Sequence, residues 1–406
     1  MHLKKPTPGD VIAGISVALL ALPQGLAYAE LAGMPAQYGL FAAGFPSLLA
    51  AIFASSPYLQ TGPVALTALL TFGALQGIAE PFSGEYIELA ALLALMVGVI
   101  RLFLGICKMG FIAVLLTDAV VLGFTTGAAI LIISSQLPKS LGLENLSGGI
   151  ISSGWEAITS PNQWEAGSIL FSLGTIFVLF GGKLIHRLFP GVLVAVISGI
   201  LISNLISYDG PVVGEIKGGF VPFKFSFDWG STWELMFPAI VIAIIGFAEP
   251  ASIAKTFSKD HKSAWNPNKE FVSQGVANLA AALSNAFPVG GSFGRSSLNK
   301  FAGAESPWSG AITGAFVLVV LPFTSVLSKL PNAILGATVI GAVIKLIIPS
   351  NFINLIKSRP RQALIAIGTL LATILTSPRI DRGIIIGLIL SLINYLFERF
   401  KSLNTP

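Results

Sequence analysis

Charged residues are scarce in this sequence: Lys, Arg, Asp and Glu make up 11% of 406 residues, against about a quarter in soluble domains. A chain so poor in charge, and 54% hydrophobic, reads as a polytopic membrane protein. Cysteine is nearly absent. The single Cys107 excludes an intrachain disulfide and any thiolate cluster for a metal. The three histidines, His2, His186 and His261, stand near expected membrane edges, so neither a histidine metal site nor another cofactor is expected. Nucleophile elbows, phosphate loops and metal-ligand clusters are all missing, which argues against an enzyme. So is the basic start, short apolar core and cleavage site of a signal peptide, and the first apolar segment is expected to be retained.

What the sequence does contain is a succession of apolar runs. Read between turn signals, they give fourteen expected membrane segments: 11–29, 38–54, 62–77, 86–105, 112–134, 167–182, 190–207, 236–257, 271–287, 292–302, 307–328, 334–348, 362–377 and 381–398. With the N-terminus inside, most basic residues fall on the cytoplasmic side, including Lys4, Lys5, Lys183, Arg187, Lys259, Lys262, Lys357, Arg359 and Arg361. Acidic residues such as Glu80, Glu85, Glu144, Glu165 and Asp228 fall mostly outside. The formal charge of +5 is therefore topological, and no nucleic-acid partner is expected. The expected location is the cell membrane, multi-pass in the lipid bilayer, with both termini cytoplasmic. The longest polar interruptions are 138–166 and 208–235, each too short for a domain with its own core.

Two segments are short and marked by glycine: TGPVALTALL (61–70) and GGSFGRSSLN (290–299). They read as half-helices. The separation of Gly62 from Gly291 nearly equals that of Pro23 from Pro250, which interrupt segments one and eight. Segments 1–7 and 8–14 are thus expected to be repeats, the second inverted because seven is odd. A broken backbone in lipid leaves polar groups to be satisfied by protein, water or ligand, so the breaks belong in the interior. A helix start offers N–H groups and partial positive charge to an anion. The alternative, that the glycines only allow close helix packing, stays open at this point.

Arg295, within the first turn of segment ten, adds a full charge; an intramembrane arginine is costly and usually functional, though it could pair with a carboxylate. Ser292, Ser296 and Ser297 are weaker signals, since helical serines bond back to their own backbone. Glu249, deep in segment eight, could carry a proton, bind a cation or pair with Arg295. Gln24 and Tyr28, four residues apart on segment one, would share a face and could line a pocket. Tyr28 could equally be an interfacial aromatic.

PQGLAYAELAGMPAQYGLFAAGFP (23–46) closely resembles the signature of the SulP sulfate-permease family of anion transporters and exchangers. Further similar stretches are TGPVALTALL (61–70), GFAEPASIAKTFS (246–258), NKEFVSQGVANLAAALSNAFPVGGSFGRSSLN (268–299) and SGAITG (309–314). The resemblance implies an all-α polytopic membrane fold of fourteen transmembrane segments in two inverted repeats of seven, as in uracil permease. It implies a core domain of segments 1–4 and 8–11 (residues 1–110 and 236–330) moving against a gate domain of segments 5–7 and 12–14 (residues 111–235 and 331–406). Carried over by motif, Gln24, Tyr28, Val64, Ala65, Ser292, Phe293, Gly294 and Arg295 would line the anion site, with Glu249 beside it. Gly294 stands where several relatives have serine, and Glu249 where many animal exchangers have an apolar residue. The family's usual C-terminal STAS domain, which mediates dimer contacts and regulation, has no counterpart here; a homodimer stays open.

The expected function is secondary active transport of a small anion such as sulfate or bicarbonate, by proton-coupled symport and alternating access. Sodium-coupled transport of bicarbonate or a dicarboxylate, and uncoupled exchange or channel flow, are the alternatives. A nucleobase permease on the same fold would carry a carboxylate on segment ten, where this chain has Gly294 and Arg295.

Overall fold

A computed structural model describes residues 5–111, 118–143, 148–186, 189–216, 219–223, 225–258 and 265–403. His2, Lys4, Glu144, Arg187, Lys259, His261 and Lys262, as well as part of expected segment five, lie outside the described residues. The elements in chain order are α1 (Pro8–Leu31), α2 (Gln37–Ala43), α3 (Phe45–Phe53), β1 (Thr61–Gly62), α4 (Ala65–Leu75), α5 (Gly84–Ile106), α6 (Asp118–Leu141), α7 (Ile150–Thr159), α8 (Ala166–Ile185) and α9 (Gly191–Leu205). Then come α10 (Thr232–Ser258), α11 (Pro267–Leu283), β2 (Gly290–Gly291), α12 (Phe293–Phe301), α13 (Trp308–Val320), α14 (Asn332–Val343), α15 (Pro349–Ser358), α16 (Pro360–Leu375) and α17 (Ile380–Leu403). Every expected segment overlaps a helix. Among the described residues, six helical stretches are long and apolar enough to cross a membrane by length and composition.

Local chemistry explains the ends. Thr7 caps α1 in a reciprocal box with Asp10, and Pro8 takes a first-turn position where its missing N–H does no harm. Segment five differs from expectation: α6 runs through Pro138 to Leu141. Its stop is Gly142, at φ +76°, with the Leu143 N–H donating to the Pro138 carbonyl at 2.9 Å. That is a glycine cap of the last turn, and it overrides the proline as the terminator. The polar interruption that follows holds α7, which buries Gly154 and Ala157 and exposes Trp155 and Ile158. A second short helix, α15, lies between segments twelve and thirteen with Ile353 and Ile356 exposed.

Helices α1 and α13 pack together, α11 lies against both α3 and α5, and α10 crosses α4 and α5. Separately, α6 packs on α7, α14, α16 and α17, and α8 on α9 and α14. Between these sets run contacts of α1 with α9 and α14, and of α4 with α6 and α17. The α5–α11 contact is backbone on backbone: a Cβ at Gly275 would sit 2.7 Å from the Leu102 nitrogen and 3.1 Å from the Gly98 carbonyl. Glycine here lets the two helix backbones approach where lipid offers no hydrophobic drive.

At the start of α8 the Glu165 carboxylate accepts from the backbone N–H groups of Gly167 and Ser168 and from the Tyr208 hydroxyl, the last at 2.7 Å. Partial burial alone would raise its pKa, but these hydrogen bonds outweigh it and hold the group below the ordinary value of 4.5. A carboxyl so depressed adds stability above the unfolded value, and that stability is lost as pH falls through the folded value. The melting temperature in detergent should therefore drop as pH falls below about 4.5, and Glu165→Gln should flatten that drop; an equally steep fall in the variant would refute the link.

Candidate anion site

The two short breaks meet. β1 and β2 pair antiparallel, Thr61 with Gly291 and Gly62 with Gly290. α4 starts three residues past one strand and α12 two past the other, so two helix starts flank one junction. Pro63 and the extended Val64 (φ −137°, ψ 150°) delay the first helix, and no side chain caps it. Gly62 sits at φ +152°, and a Cβ there would lie 3.2 Å from Ser47 Oγ and 3.4 Å from Arg295 Nη2.

Pairing of four residues cannot satisfy so much unwound backbone, and polar side chains supply the rest. Ser47 Oγ donates to the Thr61 carbonyl at 2.7 Å, and Gln274 Nε2 donates to Thr61 Oγ1 at 2.7 Å. Asn278 accepts from the Val289 N–H at 3.0 Å and donates back to its carbonyl at 3.1 Å. The Gln60 N–H donates to Ser296 Oγ at 2.9 Å, and the Ser292 N–H to the Gln60 carbonyl at 2.9 Å. Sequence reasoning passed over Ser47, Gln274 and Asn278. Part of the signal was available: Gln274 and Asn278 stand four apart, on one helix face, within the expected membrane segment 271–287.

Arg295 is 2% exposed and its Nη2 donates to the Pro63 carbonyl at 2.8 Å, tying α12 to the strand of the other repeat. Its Nε is buried without a hydrogen-bond partner. Glu249 does not pair with it; no ion pair joins them, and Glu249 Oε1 instead accepts from the Phe293 N–H at 3.4 Å, at the start of α12. Tyr28 is buried and lies within electrostatic reach of both Arg295 and Glu249, so it is no interfacial aromatic. Helix α1 is continuous through Pro23, which puts Gln24 on the face of Tyr28, and Gln24 Oε1 is buried without a partner. Val64 and Ala65 are buried, and Val64 reaches the Gly290 backbone on the opposite strand. Ser292 caps α12 by accepting from the Arg295 N–H at 3.4 Å. Phe293 is half exposed and stacks on Phe257, while a Cβ at Gly294 would meet nothing within 4 Å.

The residues thus converge on a junction with buried donors and acceptors left over, flanked by an open space at Gly294. Chemically it can hold a small charged group.

Against known families, the sulfate permease model matches residues 8–369. The chain belongs to the sulfate permease family. It is 33% identical to a chloroplastic sulfate transporter, 4.1, of Arabidopsis thaliana over 96% of its length, and spans 58% of that relative. It is 31% identical to a probable sulfate transporter of Mycobacterium tuberculosis, covering 98% of this chain and 71% of the other. The chain thus spans little more than half of the plant relative. Among solved structures, SLC26A9 superposes with a TM-score of 0.87 at 21% identity, over 96% of this chain and 65% of that one. The transmembrane domain of a cyanobacterial bicarbonate transporter, BicA, superposes at 0.82 with 23% identity, over 92% and 96%. These likenesses show the fold of a helical, multi-pass membrane protein whose family members are transporters and not enzymes.

The junction's geometry separates its two outlying glycines. Gly294→Ser should leave the melting temperature nearly unchanged, within about 0.5 kcal/mol of stability, because its Cβ enters open space. Gly62→Ser should cost about 1–3 kcal/mol through backbone strain and crowding against Ser47. Equal melting temperatures for the two variants would contradict this picture.

Proposed function

We infer that this chain is the membrane part of a secondary active anion transporter of the cell membrane, with cytoplasmic termini, driven by protons. The observation that carries the reading is the junction of two helix starts with Arg295 Nε buried and unpartnered beside it. An unpartnered guanidinium donor, two sets of helix-start N–H groups and the Gln24 amide suit a small anion entering from the open side at Gly294. Gln24, Tyr28, Val64, Ala65, Ser292, Phe293, Gly294 and Arg295 form the lining in this reading.

Residues 1–110 with 236–330 make the moving core, and residues 111–235 with 331–406 the gate. Packing of α1–α5 with α10–α13, and of α6–α9 with α14–α17, supports that division. The site lies in the core, next to the contacts of α1 and α4 with gate helices, where a sliding motion would alternate its access.

Glu249 is the coupling group. Its carboxylate already takes the Phe293 N–H, a donor that a bound anion would compete for. Ionised, it also repels the anion across a medium of low dielectric. Protonation removes both obstacles, so proton and anion bind cooperatively, each raising the other's affinity by the same factor.

Two variants test this in proteoliposomes with labelled sulfate and bicarbonate. Arg295→Ala should weaken anion binding by roughly 10- to 100-fold, the worth of a charge-assisted hydrogen bond, while changes at Lys259 or Lys262 have little effect. Equal, small losses at all three positions would dismiss a specific site. Wild-type uptake should rise as external pH falls and follow an imposed proton gradient. Glu249→Gln, permanently neutral, should bind anion but lose pH dependence and accumulation. If the Gln variant still responds to the proton gradient, coupling lies elsewhere; a sodium gradient driving the wild type, or a steady current without coupling, would replace proton symport.

A further inference from the structure

Arg101, on α5, is a second arginine buried completely, and sequence reasoning passed over it although it stands alone in the apolar run LLALMVGVIRLFLGI (92–106). Its Nε and Nη2 donate to the carbonyls of Ala243 and Ile242 on α10 at 3.0 and 2.9 Å. Its Nη1 donates to the Val289 carbonyl at 2.9 Å. No carboxylate pairs with it among the described residues. Carbonyl dipoles satisfy its donors without cancelling its charge, so a full positive charge stands in an apolar interior.

Its placement is specific. Val289 directly precedes β2, and its peptide is held on both sides, by Arg101 and by Asn278. Gly246 lies one helical turn before Glu249, and a Cβ there would sit 2.6 Å from Arg101 Nη2 and 3.2 Å from Thr67, in the first turn of α4. The missing side chain at Gly246 thus admits the guanidinium directly behind the junction. A clamp alone does not require charge: a neutral amide could donate to carbonyls without the desolvation of a cation.

We propose that Arg101 is the second fixed positive charge of the anion site, a positioning residue that acts on the bound anion through its field and through the Val289 peptide without touching it. The inference rests on the anion-site reading above. Arg101 and Arg295 together carry two positive charges against one negative charge on ionised Glu249, so the junction is net positive and becomes more so when Glu249 is protonated. One unit charge acting over on the order of 10 Å, at an effective dielectric near 20, is worth roughly tenfold in an equilibrium constant. A field acts in proportion to ligand charge. The factor lost on neutralising Arg101 should therefore be squared for a divalent anion relative to a monovalent one.

The test measures KM, kcat and dissociation constants of the full chain in proteoliposomes and detergent. The probes are sulfate and oxalate as dianions and nitrate and bicarbonate as monoanions, with melting temperatures recorded in parallel. Arg101→Gln should weaken monovalent anions roughly tenfold and divalent anions roughly a hundredfold, mainly in KM, and Arg101→Lys should recover most of both losses. Equal factors for both valences, or a Lys variant no better than Gln, would show Arg101 to be a structural clamp and overturn the proposal. Should Arg101→Gln not fold, Arg101→Lys decides: it must keep the wild-type ratio of divalent to monovalent affinity, and a shift beyond about threefold overturns the proposal. Arg295→Ala in the same assays separates the two readings. Loss there with no change in Arg101→Gln defeats this inference alone, whereas binding intact in both defeats the site itself.

Discussion

A backbone that leaves its helix inside an apolar interior must find partners for every N–H and C=O, and the junction at 61–62 and 290–291 is where this chain meets that demand. Two strands of two residues pair only with each other and leave most of the unwound peptide unsatisfied. The rest is supplied by Ser47 of α3, Asn278 of α11, Ser296 and Arg295 of α12, and Arg101 of α5, while Gln274 of α11 holds the Thr61 hydroxyl beside them. Each of those side chains must be brought within hydrogen-bond distance, and doing so fixes where its helix lies. The close glycine contact between α5 and α11 follows from the same requirement, since both helices must reach the junction together.

Charges in the interior obey a related rule: they lean on backbone dipoles and not on one another. Asp10 accepts from the N–H groups of Glu305 and Ser306, and Glu270 from those of Ser55 and Ser56. Arg101 and Arg295 donate to carbonyls, and Glu249 accepts from an N–H at a helix start. Side-chain ion pairs are found toward helix ends, as Lys139 with Glu30 at 2.6 Å and Arg379 with Asp381 at 3.6 Å. The physical reason is economy of desolvation. A buried loop or helix end has polar groups that need partners in any case, so one side chain satisfies both itself and the backbone. A site built this way keeps its arginines free of carboxylate partners, which is the condition for binding a foreign anion.

The legible parts of the sequence were those with one dominant physical signal. Apolar runs gave helices, GGSFGR and TGPVA gave interrupted helices, and a lone Arg295 and Glu249 at depth marked the junction. Signals in competition were misread or left open. Segment five was expected to end at residue 134, whereas α6 runs on through Pro138 to Leu141 and a glycine cap at Gly142. Tyr28 was balanced between membrane surface and site until its burial decided the matter. Gln274 and Asn278 were lost because their partners, the Thr61 hydroxyl and the Val289 peptide, are brought to them only by the fold.

By itself the sequence determined that the chain is an interrupted, inverted-repeat helical membrane protein, because hydropathy and helix-breaking residues act locally and carry their own positions. It also marked Arg295 and Glu249 as lying deep, since depth follows from place within an apolar run. Only the tertiary structure decided what those residues face. That Arg295 turns to the Pro63 carbonyl and not to Glu249, that Glu249 meets the start of α12, and that Arg101 stands behind the junction depend on contacts between residues more than forty positions apart. Such contacts are set by how helices pack around unsatisfied backbone, a constraint that no window of sequence contains.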